Sequence, residues 1–248
     1  ARPRLISEYG ALVPGKTNTI ALTFDMDEGW HTYWPGQNDT GLPITFTLDP
    51  PDGFEVGEPL WPAPHRHISE GGILDHVYGP GESTVLIPVR VPSDARAGQR
   101  VVFKADVEWL VCREACIPGW GTAVLTLPVS APGETLEPSP NRDRILAARR
   151  RVPVPLPEMP RDVSVRWAGG VLEIRALRPV REITFSPGEK SRPIRDLLKS
   201  GESKKGVLRL VPEDGTKPVV GVIELMPKEK GKPSRLYRIE TSPPGGGG

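Results

Sequence analysis

Apolar and polar residues alternate with a period of two along much of the chain, the pattern of strands with one buried face. Thr19 to Met26 shows it well, with Ile20, Leu22 and Phe24 on one side and Thr19, Thr23 and Asp25 among the residues on the other. Similar runs occupy Leu42–Leu48, Thr84–Val91, Val101–Val111 and Thr122–Val129. Turn signals separate them: Pro50-Pro51-Asp52-Gly53, Gly79-Pro80-Gly81 and Ser93 to Gly98. Seven or more short strands within about 130 residues predict an antiparallel sandwich.

The pattern breaks near residue 130. Ala131-Pro132-Gly133 and Pro138-Ser139-Pro140 flank a polar stretch, and Asn141 to Arg151 then reads as a helix. Asn141 is placed to cap it, and Ile145, Leu146 and Ala148 give it a small apolar face. Prolines at 153, 155, 157 and 160 end it and favour an extended linker. Alternation resumes at Val163–Trp167, turns at Ala168-Gly169-Gly170 and continues through Val171–Leu177. Further strands are predicted at Glu182–Phe185, Gly206–Val211, Val219–Leu225 and Arg235–Glu240. The expected organisation is all-β: a first domain over 1–132, a linker with a short helix over 133–160, a second, smaller β domain over 161–243 and a glycine tail over 244–248.

Composition agrees with this and adds little. Thirty prolines and 27 glycines among 248 residues leave small room for long helices. No apolar run approaches the ~18 residues that span a bilayer. The sequence holds no basic leader followed by an apolar core and opens on Ala rather than Met, as expected of a mature or trimmed fragment whose export signal is gone. Charge changes the picture more. Residues 1–132 hold 9 Lys/Arg against 16 Asp/Glu, a balance of −7, and residues 133–248 hold 23 against 15, a balance of +8. The halves are thus expected to face different surroundings, an anionic membrane surface being one candidate for the basic half. No basic stretch is interleaved with aromatics, which argues against a nucleic-acid partner.

The chemistry concentrates in Glu108-Trp109-Leu110-Val111-Cys112-Arg113-Glu114-Ala115-Cys116-Ile117-Pro118-Gly119. Two cysteines four apart end one strand and begin the turn into the next. Spacing alone leaves three readings open. A structural bridge closing so small a loop stabilises by only about 2 kcal/mol in the chain-entropy model. A bridge at a surface turn is well placed for exchange, which needs a thiolate to reach one sulfur. Zinc would require histidines to complete four ligands, from His31, His65, His67 and His76, and two thiolates with histidines also suit copper.

At these residues the chain resembles a known family. Trp109-Leu110-Val111-Cys112-x-x-x-Cys116-Ile117-Pro118-Gly119 is similar to the active-site segment of the periplasmic N-terminal domain of DsbD-type protein-disulfide reductases, and most of all to their ScsB-like branch. Gly29-Trp30-His31-Thr32-Tyr33-Trp34 with Gly41-Leu42-Pro43 resembles the family's early aromatic strand. Leu60-Trp61-Pro62-Ala63-Pro64 resembles its central strand, and Val85 to Val89 the strand after its cap loop.

The resemblance implies two immunoglobulin-like antiparallel sandwiches, the first carrying a redox-active cysteine pair and needing no other cofactor and no metal. It makes Cys116 the cysteine that forms a mixed disulfide with a partner, and Cys112 the one that resolves it. His31 and Tyr33 then border the pair. Ser69–Leu74 matches the cap loop, without the aromatic residue that shields the cysteines in DsbD proper, so Glu70, Ile73 and Leu74 are the bordering residues and Gly71-Gly72 a hinge. The implied activity is protein-disulfide reduction by electron transfer in the periplasm, in settings such as cytochrome c biogenesis or copper tolerance. The implied partners are a thioredoxin-like domain of the same inner-membrane protein and periplasmic thioredoxin-fold proteins, with membrane contact only through segments outside this sequence. The competing expectation is a non-catalytic immunoglobulin-like module binding copper or a protein, with Cys112–Cys116 as a staple. A reduction potential separates the two, since structural bridges sit below about −300 mV.

Overall fold

The computed structural model describes residues 1–79 and 82–244; part of the expected turn at Gly79-Pro80-Gly81 and the tail 245–248 lie outside the described residues. The strands in chain order are β1 Arg2–Ser7, β2 Thr17–Asp25, β3 Thr32–Tyr33, β4 Thr45–Asp49, β5 Glu55–Val56, β6 His65–Ile68, β7 Leu74–Tyr78, β8 Glu82–Arg90, β9 Arg100–Cys112 and β10 Cys116–Pro128. Helix α1, Arg142–Arg151, follows. Then come β11 Val154–Pro155, β12 Val163–Ala168, β13 Val171–Ala176, β14 Val180–Pro187, β15 Ile194–Arg195, the one-turn helix α2 Leu197–Ser200, β16 Glu202–Ser203, β17 Val207–Pro212, β18 Val219–Pro227 and β19 Arg235–Thr241. The architecture is all-β and immunoglobulin-like.

Two compact units form. The first comprises residues 1–33, 41–62 and 77–152; the second comprises 34–40, 63–76 and 153–248. This division differs from the expected cuts at 132 and 161, because segments 34–40 and 63–76 cluster with the later part of the chain. Helix α1 differs too. It is no free linker: Ile145 and Ala148 pack with Ile6, Ala21 and Leu86 of the first unit, and Arg149 pairs with the Glu8 carboxylate at 2.5 Å. Asn141 occupies the cap position without a side-chain cap bond, and its own N–H donates to Ser139 Oγ at 3.1 Å.

In the first unit, sheets β1-β2-β8-β5 and β10-β9-β4 enclose one core. The alternation read from the sequence builds it: Ile20, Leu22 and Phe24 of β2 meet Val101, Phe103, Ala105 and Val107 of β9 in that core. The period of two holds along β9 to Glu108 and then gives way to consecutive burial at Val111 and Cys112. Strand β4 pairs with β9 only from Lys104 to Glu108. Beyond it, the segment at His31 takes over the β9 edge, His31 and Cys112 each donating a backbone N–H to the other's carbonyl at 3.0 Å. Leu60–Pro64, expected as a central strand, is extended with a single bridge, Leu60 to Leu86. Pro62 and Pro64 lack the N–H that a ladder would require.

In the second unit, sheets β11-β19-β18-β14-β16 and β12-β13-β17-β15 enclose Leu172, Ile174, Ile183, Phe185, Leu208 and Ile223. The β12–β13 hairpin turns at Gly169 and Gly170, both at positive φ (57° and 79°), where a side chain would be strained. Carboxylates buried here are held by cations. Glu173 accepts from Arg166 at 2.7 Å and lies near Arg175 and Arg209 at 3.2 and 3.3 Å. The Arg166 hydrogen bond is the leading reason its carboxyl sits below the usual glutamate range.

Candidate functional site

The site is the tip of the β9–β10 hairpin. Thirteen residues of each strand pair in register, which brings Cys112 directly opposite Cys116. Their α-carbons are 4.1 Å apart and their sulfurs are bonded. The two ends of the bridge differ in access: Cys112 is 3% exposed, whereas Cys116 and the loop Arg113–Ala115 lie in the open. Arg113 and Glu114 in that loop form a solvent-exposed ion pair at 3.3 Å, of the kind that contributes little.

Beneath the bridge lies a small cluster of Cys112, Tyr33 and Val77, with Leu110 packed against it. Strand β3 carries Tyr33, paired with Val77 of β7. Its ring lies so close to Gly41 that a Cβ there would stand 1.9 Å from ring carbons. The Tyr33 hydroxyl is 3.8 Å from Cys116 Sγ and 3.3 Å from His31 Nε2, and the two rings meet edge to face at 5.3 Å. A disulfide sulfur has no proton, so in that contact Tyr33 O–H is the donor. After reduction, the same O–H would face a thiol or thiolate, and a hydrogen bond to the charged form favours it. His31 and Tyr33 are both buried.

Beside the hairpin a groove of about 340 Å³ opens, with Trp30, Trp109, Ile117 and Pro118 in its lining. Ile117 is 52% exposed and Trp120, four residues beyond Cys116, is 78% exposed. Gly119 lets the Trp109 ring lie flat on the strand, since a Cβ would meet it at 2.3 Å. Sequence reading gave neither Gly41 nor Gly119 a role of its own and did not reveal this groove. Each glycine was visible only as part of a motif, and its use depends on a ring brought from elsewhere in the chain.

A family model for the N-terminal part of the thiol:disulfide interchange protein DsbD matches residues 2–128, just over half the chain. The chain belongs to this family. The DsbD N-terminal match runs from β1 to the last residue of β10 and so contains the whole hairpin. Residues 2–128 accordingly form a thiol–disulfide interchange domain, and Cys112–Cys116 is the cysteine pair it carries. Among solved structures, the N-terminal periplasmic domain of ScsB from Proteus mirabilis is similar in fold, with a TM-score of 0.53 and 14% identity over 93% of this chain and 91% of that one. The Neisseria meningitidis DsbD N-terminal domain in the reduced form aligns with 55% of this chain and 90% of its own, at 16% identity and a TM-score of 0.30. A search of curated proteins finds no match.

The structure thus gathers four of the residues the sequence singled out: Cys112, Cys116, His31 and Tyr33. The other three stand in segment 63–76 of the second unit. Glu70 opens a 3₁₀ turn whose Gly71 and Gly72 both have positive φ; Ile73 is 37% exposed and Leu74 is buried. His65 and His67 lie on β6, and His76 on β7. Among the described residues no three His, Cys, Asp or Glu side chains come together as a metal site, and no helix is long and apolar enough to cross a membrane.

Proposed function

We propose that this domain is a periplasmic protein-disulfide reductase module that relays electrons from a thioredoxin-like domain of the same membrane protein to periplasmic thioredoxin-fold proteins. The observation that carries this reading is the unequal access of the two sulfurs at the hairpin tip, Cys116 open and Cys112 buried. Family membership supports it.

The exchange runs in two directions through the same atom. A donor thiolate attacks Cys116 Sγ, an S–S bond forms with the donor, and Cys112 leaves as a thiolate that takes a proton. The donor's second thiolate then displaces Cys116. Two electrons have passed, and the donor is left as a disulfide. In the second half, Cys116 thiolate attacks an acceptor disulfide, and the acceptor's leaving thiolate is protonated. Cys112 gives up its proton, attacks Cys116 Sγ as a thiolate and restores the bridge, and the second acceptor thiolate takes up a proton to leave a dithiol acceptor. Tyr33, with His31 behind it, supports the Cys116 thiolate through the hydroxyl that now lies 3.8 Å away. The exposed Ile117 and the aromatic groove offer an apolar rim for a partner whose own cysteines must approach an exposed sulfur.

The test is a trap. Mixed with an oxidised thioredoxin-fold protein, reduced Cys112→Ser should accumulate a mixed disulfide through Cys116, because the resolving thiol is gone. Cys116→Ser should form none and should lose turnover. Trapping by Cys116→Ser instead would reverse the roles, and a wild-type potential below about −300 mV would favour a staple.

A further inference from the structure

The second unit contains a cleft of about 600 Å³ between the β13–β14 turn and the β18–β19 turn. Val180, Leu225 and Pro227 give it an apolar wall, and Arg178, Lys228, Lys232 and Arg235 bring four cations to it. Two of these have carboxylate partners in the lining: Arg235 pairs with Asp162 at 2.7 Å, and Lys232 pairs with Glu229. The lining therefore keeps a surplus of two positive charges. A neighbouring hollow of about 480 Å³ shares Asp162, Arg178 and Arg235 and adds Arg161.

Asp162 is what makes this more than a basic surface. It is 5% exposed, and its two oxygens accept from Tyr237 O–H at 3.0 and 2.8 Å and from Arg235 Nη1–H at 2.7 Å. A carboxylate fixed in this way orients the guanidinium before any ligand arrives. Half of the Arg235 side chain stays accessible, so donors of its planar fork remain free for an oxyanion. Pre-orientation reduces the ordering cost of binding, and the fork geometry matches tetrahedral and planar oxyanions.

We propose that this cleft is a binding site for a phosphate group carried on an apolar body. Arg235 and Arg178 hold the phosphate oxygens, Lys228 adds charge, and the apolar wall receives the body. The surplus of two charges suits a phosphate, which carries roughly −1.5 to −2 near neutral pH as a monoester. The site shares no residue with the cysteine hairpin and does not depend on the redox reading.

The test titrates the full oxidised chain with sodium phosphate at constant ionic strength, following backbone amide resonances. Shifts should concentrate at 161–162, 177–180 and 227–235. The double variant Arg178→Ala, Lys228→Ala changes only exposed side chains, so the fold is preserved. It should raise the apparent phosphate Kd at least tenfold while leaving disulfide exchange unchanged. Co-sedimentation with vesicles containing phosphatidic acid, whose headgroup is a phosphate monoester, compared with phosphatidylcholine vesicles, identifies the source. Sedimentation lost in the double variant assigns a lipid headgroup, and phosphate binding without sedimentation assigns a soluble phosphate compound. Shifts scattered over surface lysines, or a Kd unaltered by the double variant, would overturn the proposal.

Discussion

Both sandwiches close with a long hairpin, and the two hairpins are finished differently. In the first unit β9 and β10 pair over 13 residues each and leave three residues at the tip. The tip chemistry is covalent, and the groups beneath it are an aromatic ring, an imidazole and apolar side chains. In the second unit β18 and β19 leave the seven residues 228–234 between them, rich in lysine. There the chemistry is electrostatic, organised by carboxylates buried under arginines. One architecture thus presents two unlike ends, because the sandwich core constrains only inward-facing residues and leaves the tips open to variation. A short, pleated tip sets two cysteines opposite each other. The longer turn leaves its residues unpaired in the ladder and gathers charge around a cleft.

The sharpest way to separate the units is acid. His76, fully buried in segment 63–76 of the second unit, donates Nδ1–H to the Gln37 carbonyl at 2.8 Å, and its Nε2 has no hydrogen-bond partner among the described residues. Desolvation, with a smaller contribution from the charge on Arg66, lowers its pKa to about 4, against the pull of the Gln37 bond. The unfolded chain takes up this proton near 6.5. Stability from the neutral ring is therefore full above about 6.5, declines as pH falls towards 4, and has gone below that value, a loss on the order of 3 kcal/mol. Denaturant unfolding of the chain and of His76→Gln between pH 7 and 4 should show this slope only in the parent. Equal slopes would remove His76 as the acid-sensitive group.

A steric test addresses the first unit. Gly41→Ala places a methyl within the Tyr33 ring, and the resulting repacking should destabilise by about 2 kcal/mol. Exchange should slow with it, since Tyr33 borders Cys116. A variant with unchanged unfolding and unchanged rate would show that the ring is not held by Gly41. The gentlest change, Tyr33→Phe, keeps the packing and removes one hydroxyl. Stability should change by less than about 1 kcal/mol, and the rate of mixed-disulfide formation should fall roughly three- to tenfold near neutral pH, the range expected for one net hydrogen bond. An unaltered rate would confine Tyr33 to packing.

Much of the fold was legible because alternation is a local property of a pleated strand. Thr84–Val91 and Val219–Leu225, read from their pattern, fall on β8 and β18 with ends shifted by at most two residues. Strand β1 escaped notice because Leu5, Ile6 and Ser7 are buried in succession, on both faces of the strand. The start of β10 escaped as well, since the alternating pattern was read only from Thr122, while the hairpin register carries Cys116 to Gly121 as strand. At the site, the cysteines announced themselves by type and spacing. His31 and Tyr33 came only through the family's motif; in the structure Tyr33 meets the bridge through its hydroxyl and a shared cluster, and His31 reaches it through Tyr33.

By itself the sequence determined the strand content, the two cores and the cysteine pair at a strand end, because each is written in residues adjacent or alternate along the chain. Only the tertiary structure decided that Cys112 is covered while Cys116 is open, and that helix α1 belongs to the first unit. It alone placed segments 34–40 and 63–76 with the second unit and set Asp162 beneath Arg235. Burial, desolvation and charge pairing sum over neighbours tens of residues away in the chain, and no local pattern records which of those neighbours will arrive.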